Sequence, residues 1–94
     1  MAKAVWKNTV LAESDTFETV DGNNYFPAGA INYELFSEST YHSACPWKGV
    51  AKYYSITVDG EENPDAAWYY SEPKRAAENI RDHVALWRGV EVSP

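Results

Sequence analysis

Gly49-Val50-Ala51-Lys52-Tyr53-Tyr54-Ser55-Ile56-Thr57-Val58, closed by Asp59-Gly60, is the stretch on which the fold turns. β-branched and aromatic residues dominate it, as they do in strands. In a strand, Val50, Lys52, Tyr54, Ile56 and Val58 share one face, and Ala51, Tyr53, Ser55 and Thr57 share the other. Asp59-Gly60 turns the chain, and Glu61-Glu62-Asn63-Pro64-Asp65 reads as an extended acidic loop. Ala66-Ala67-Trp68-Tyr69-Tyr70 then returns as an antiparallel strand.

Short strands and turns continue on both sides. Thr9 to Ser14 and Thr16 to Val20 have strand character, and Asp21-Gly22-Asn23-Asn24 is a strong turn. Tyr25-Phe26-Pro27 ends a ladder at its proline, and Pro27 to Ile31 fits one helical turn. Ile31, Tyr33 and Leu35 alternate with polar residues, which predicts a half-buried strand. A further short strand is expected over Thr40 to Ala44, interrupted by Pro46. Pro73 suits a first helical turn, and Ala76, Ala77 and Ile80 predict a helix over Lys74 to Asp82. Val84 to Trp87 and Val90 to Val92 read as a closing hairpin across Arg88-Gly89. The sum is a mainly β, β-rich α+β domain, a small antiparallel sandwich or open barrel with one short helix near the C-terminus. No βαβ alternation suggests a parallel sheet.

Composition narrows the class. The chain has 94 residues, enough for one domain over 1–94, and its 45% hydrophobic content exceeds that of disordered chains. A formal net charge of -6 argues against nucleic acid as a partner. No apolar run is long enough to span a bilayer, so no membrane partner is expected. Met1-Ala2-Lys3-Ala4-Val5-Trp6-Lys7 lacks the pattern of a signal peptide, and a soluble cytoplasmic protein is expected. The single Cys45 then stays reduced and forms no internal disulfide. With only two His, no metal site and no cofactor are expected. The unusual quantity is ring content: four Trp, seven Tyr and three Phe.

Cys45-Pro46-Trp47-Lys48-Gly49 carries the most chemistry. A neighbouring ammonium lowers a thiol pKa, so Lys48 can activate Cys45 as a nucleophile. The competing reading is a structural turn around a buried thiol. His42 lies three residues before Cys45, which on a regular strand puts the two on opposite faces. Trp47, Tyr53, Trp68 and Tyr70 can form an aromatic recognition surface in which Lys48 orients a flat ligand. Equally, such rings can be the core of a small domain, the reading preferred for Trp68.

These segments in order resemble one family. Cys45-Pro46-Trp47-Lys48-Gly49 with Ala51 and Tyr53-Tyr54 looks like the hallmark of domain of unknown function 427. Leu11-Ala12-Glu13-Ser14, Tyr25-Phe26-Pro27, Ala66-Ala67-Trp68-Tyr69-Tyr70 with Pro73, and Val84-Ala85-Leu86-Trp87 with Val90-Glu91-Val92 fit too. Leu86 departs from the pattern, which usually has Phe there. The resemblance implies a β-tent, or Mss4-like, domain of two small antiparallel sheets at a steep angle. Many relatives in that group join the sheets with a zinc held by four cysteines. Here only Cys45 is present, so apolar and aromatic packing must take the metal's place. A label likening the family to nucleotidyltransferases requires paired carboxylates holding magnesium, which the sequence does not offer. Other β-tent proteins bind small molecules in aromatic cages or reduce oxidised methionine.

Three functions follow as expectations. The first is a small-molecule or peptide-binding module with an aromatic pocket of Cys45, Trp47, Lys48, Tyr53, Trp68 and Tyr70. The second is a structural or protein-interaction domain without a ligand. The third is an enzyme using the Cys45 thiolate, its only catalytic candidate.

Overall fold

The computed structural model describes all 94 residues, Met1–Pro94. Nine strands form in chain order: β1 Ala2–Trp6, β2 Thr9–Ser14, β3 Glu18–Val20, β4 Asn23–Tyr25, β5 Phe36–Cys45, β6 Gly49–Val58, β7 Glu61–Tyr69, β8 Val84–Leu86 and β9 Glu91–Ser93. All ladders between them are antiparallel. The main sheet has the order β5-β6-β7-β8, a second has β2-β1-β9, and a small third ladder is the β3-β4 hairpin.

The central strand β6 is buried on different faces along its length. Ala51 and Tyr53 pack with Tyr25, Tyr70, Ala77, Ile80 and Ala85, beneath the β3-β4 hairpin. Ile56 and Val58 pack from the opposite face with Ala2, Ala4, Leu11, Phe26, Val84 and Leu86, beneath the three-stranded sheet. β8 repeats the alternation: Val84 and Leu86 belong to one core and Ala85 to the other. The main sheet is therefore the middle layer of the molecule. Phe26 ties the layers together, exchanging two 2.8 Å backbone hydrogen bonds with Val84.

Several elements differ from the sequence expectation, each for a local reason. Glu61–Asp65 is not a loop but the first half of β7, joined to β6 by a two-residue turn in which Asp59 and Gly60 both have positive φ. A bulge absorbs Pro64: the register slips between Tyr54 and Ile56, Asp65 takes φ 54°, and its N–H donates to Ser55 Oγ at 3.1 Å. Ile31, Tyr33 and Leu35 do not alternate in a strand. Ile31 makes a single bridge to Ala12, and Tyr33–Leu35 is a 3₁₀ turn leading into β5. The strand expected over Thr40 to Ala44 is the second half of the longer β5.

The helix expected over Lys74 to Asp82 is a 3₁₀ segment, Arg75–Ile80, interrupted at Ala77. Residues three apart share a face in that geometry, which is why Ala77 and Ile80 are its buried pair. The closing hairpin does not form. β8 is buried throughout and pairs with β7, whereas the exposed β9 crosses to the other sheet and pairs with β1. β1 opens with Ala2, Lys3 and Ala4, residues with little strand preference, and packing of Ala2 and Ala4 holds it in place.

Phe26→Ala should remove about 3–5 kcal/mol of stability, the usual cost of deleting a fully buried ring. Urea denaturation measures this. A loss under 1 kcal/mol would show that Phe26 does not join the layers.

Candidate functional site

Cys45 and Gly49 pair at the end of the β5-β6 hairpin, leaving Pro46, Trp47 and Lys48 as its tip. Gly49 is required there. Its φ is 114°, and a Cβ would lie 3.3 Å from the carbonyl oxygen of Glu72. The segment before the 3₁₀ turn at Arg75 closes over the glycine: Lys74 N–H donates to Lys48 O at 2.9 Å, and Lys74 Nζ to Pro46 O at 2.6 Å.

Lys48 is buried, with its ammonium 2.9 Å from Asp21 Oδ2. The same nitrogen stands 5.4 Å from the Trp47 ring centroid and 5.8 Å from that of Tyr70. Burial opposes the Lys48 charge, but the Asp21 hydrogen bond and the Tyr25 and Tyr70 phenols outweigh it and raise the lysine pKa. Tyr70 is pushed up to about 12 by burial, against the opposing pull of Lys48. Asp21 sits at φ 52° in the β3-β4 turn, so this ion pair fastens one hairpin tip to another. The sequence marked Asp21 only as a turn residue; no local spacing connects it to Lys48.

The expected site residues separate into two groups. Cys45, Trp47, Lys48 and Tyr70 gather around the hairpin tip. The Cys45 thiol is partly buried, which raises its pKa, but the backbone N–H groups of Lys48 and Trp47 and the Lys48 charge bring it below the ordinary thiol value. Trp47 is 42% exposed. Tyr53 and Trp68 belong to the packing beneath: Tyr53 OH lies 2.9 Å from Ser43 Oγ, and Trp68 Nε1–H donates to Tyr25 OH at 3.2 Å. His42 points away from Cys45's neighbourhood along β5, opposite Lys52.

The open space lies on the other side of the main sheet. On that face of β6, Val50 is 50% exposed and Lys52 is also exposed, while Ile56 and Val58 are closed off by the three-stranded sheet. Two hollows occupy the bare half. One, of about 310 Å³, is lined by Gly49, Val50, Lys52, Ser71, Glu72 and Lys74. The other, of about 260 Å³, runs along β5 past Glu38, His42, Lys52 and Tyr69. They meet at Val50 and Lys52. A bulge in β5 between Glu38 and His42 raises Ser39, Thr40 and Tyr41 as the wall of the second hollow. Neither hollow is lined by Tyr53, Trp68 or Tyr70.

Behind that wall three phenols adjoin. Tyr54 and Tyr69 stack at 4.6 Å, and Tyr33 meets Tyr54 edge-on at 5.9 Å. Burial above all raises the pKa of each, so the hydroxyls stay protonated and able to donate. No three or more His, Cys, Asp or Glu side chains are grouped to hold a metal ion. No helix is long and apolar enough to cross a membrane.

The family model described as a domain of unknown function (DUF427) matches residues 1–93. The chain belongs to the DUF427 family. Among curated proteins none matches it. The match spans every strand of this DUF427 chain, from the Lys48–Asp21 pair to the open face around Lys52.

Because folding raises the Lys48 pKa, its contribution to the stability of this DUF427 domain is complete below the ordinary lysine value. It is lost as pH rises through the raised value. Asp21→Asn should cost about 1–3 kcal/mol near neutral pH by stranding a buried ammonium. Adding Lys48→Met should recover part of that loss. Thermal melts of the single and double variants at neutral pH measure both. Equal stability of Asp21→Asn and the parent would show that the pair fastens nothing.

Proposed function

We propose that the protein is a small-molecule or peptide-binding module, and that its ligand lies along the bare half of the main sheet beside the Cys45–Gly49 hairpin. The carrying observation is the pair of hollows that meet at Val50 and Lys52, one of which is lined by Gly49. A concave surface with a few convergent polar groups is the usual form of a binding site. The ring cage expected from sequence moves accordingly. Tyr53, Trp68 and Tyr70 pack on the opposite face of the main sheet, Lys48 is committed to Asp21, and the exposed Trp47 remains at the hairpin tip. The net charge of -6 supports a partner other than nucleic acid, and the single thiol suits a reducing, cytoplasmic setting.

A ¹⁵N-labelled sample titrated with pooled metabolites tests this reading. Binding should move the amide signals of Gly49, Val50 and Lys52, and Lys52→Met should weaken the hit about tenfold. A full screen that leaves those amides unmoved would remove the proposal.

A second reading rests on Cys45, whose pKa the backbone N–H groups of Lys48 and Trp47 and the Lys48 charge bring below the ordinary thiol value. As a nucleophile it should react with iodoacetamide at pH 7 faster than cysteine in an unstructured peptide. A rate equal to the peptide's, or slower, rejects thiol chemistry.

A further inference from the structure

Lys48 and Asp21 form an ion pair whose two halves are held very differently. The Lys48 side chain is 10% exposed, the Asp21 side chain 54%. The ammonium stands 5.4 Å from the Trp47 ring centroid and 5.8 Å from that of Tyr70, contacts that favour a cation. Asp21 Oδ2, at 2.9 Å, is its only hydrogen-bond acceptor. The carboxylate makes no second hydrogen bond within the protein.

The carboxylate also belongs to a lightly tied element. β3 and β4 form a two-stranded ladder that joins neither sheet, and such a hairpin has little stability of its own. Its base is anchored. Tyr25 is fully buried, its hydroxyl accepts from Trp68 Nε1, Glu18 accepts from Asn79 Nδ2, and Phe26 is bonded to Val84. Its tip has fewer ties. Thr19, Asp21 and Gly22 are exposed, and a Cβ on Gly22 would meet nothing within 4 Å. Asn24 accepts only from Thr19 of the same hairpin. Beyond the partly buried Val20, Asp21 alone holds the tip to the sheet.

A buried ammonium requires an anion beside it, whereas an exposed carboxylate is already satisfied by water. The requirement therefore lies with the Lys48 seat and not with its occupant. A carboxylate from solution meets it equally well. We propose that Lys48, beside Trp47 and Tyr70, is a binding site for the carboxylate of a small organic acid, and that Asp21 is the internal carboxylate that closes it. Binding swings the tip outward about its base at Tyr25, and the ligand's carboxylate replaces Asp21 on the ammonium. Trp47, 42% exposed, offers its ring to the rest of the ligand. The site lies on the face opposite the two hollows, so it goes beyond the binding reading above and does not depend on it.

Asp21→Gly empties the seat. Glycine suits the φ of 52° at that position, so the turn should persist and far-UV circular dichroism should match the parent. The probe is sodium acetate at pH 7, compared with sodium chloride at the same ionic strength. Acetate should raise the melting temperature of Asp21→Gly by a few degrees over chloride. It should do so neither in the parent nor in Asp21→Gly that also carries Lys48→Met. The amide signals of Trp47 and Lys48 should titrate in Asp21→Gly at an acetate concentration about tenfold or more below that needed in the parent. Should Asp21→Gly not fold, Asp21→Asn takes its place in the same comparison. No gain of acetate over chloride in the Asp21 variant would overturn the proposal. An equal gain in the parent or in the Lys48→Met chain would also overturn it, by putting the anion elsewhere. Rescue by inorganic phosphate but not by acetate would overturn the assignment to carboxylates. Shifts at Val50 and Lys52 report the hollows separately, so either site can fail alone.

Discussion

The fold depends on a constraint carried by β6: a strand of ten residues that must be buried from opposite sides at its two ends. A sheet face is covered only where another layer reaches it. The β3-β4 hairpin reaches Ala51 and Tyr53 from one side, and the three-stranded sheet reaches Ile56 and Val58 from the other. The two covers are offset along the strand. Each therefore leaves part of the main sheet uncovered, and on the side of Val50 and Lys52 that uncovered part is the concave surface described above.

The offset also sets where the hairpin tip is fastened. Lys48 and Asp21 hold the smaller cover to the sheet, and they do so on the face opposite the hollows. Ring packing contributes on both sides. Tyr25 and Trp68 meet edge-on beneath the hairpin, while Tyr33, Phe36, Tyr54 and Tyr69 form a continuous group behind the bulge. Such edge-on and offset pairs add to the area that each ring buries. The high aromatic content thus serves joints between layers, with Tyr41, Trp47 and Trp87 left largely at the surface.

What the sequence made legible were local patterns. The β6 strand, the Asp59-Gly60 turn, the short helical turn after Pro27 and the return through Trp68 all follow from propensity and punctuation. What escaped it were long-range choices. Nothing near Glu91 reveals that β9 pairs with β1, and nothing near Pro64 reveals that a bulge lets the strand continue. The site divides in the same way. Cys45, Trp47 and Lys48 announce themselves by contiguity, whereas Asp21 joins them from 27 residues away. The hollow beside Lys52 carries no local signal, because its wall depends on a register shift in β5.

That shift has a consequence for the molecule's solubility. β5 is an outer strand of the main sheet, ten residues long, with backbone donors and acceptors on its free side. A flat strand of that length is a template on which other chains can add and aggregate. The kink at Ser39, Thr40 and Tyr41 breaks the row of free groups midway, so no long straight edge is presented to a neighbour. The residues that wall the hollow thus also guard the chain against sticking to its own copies.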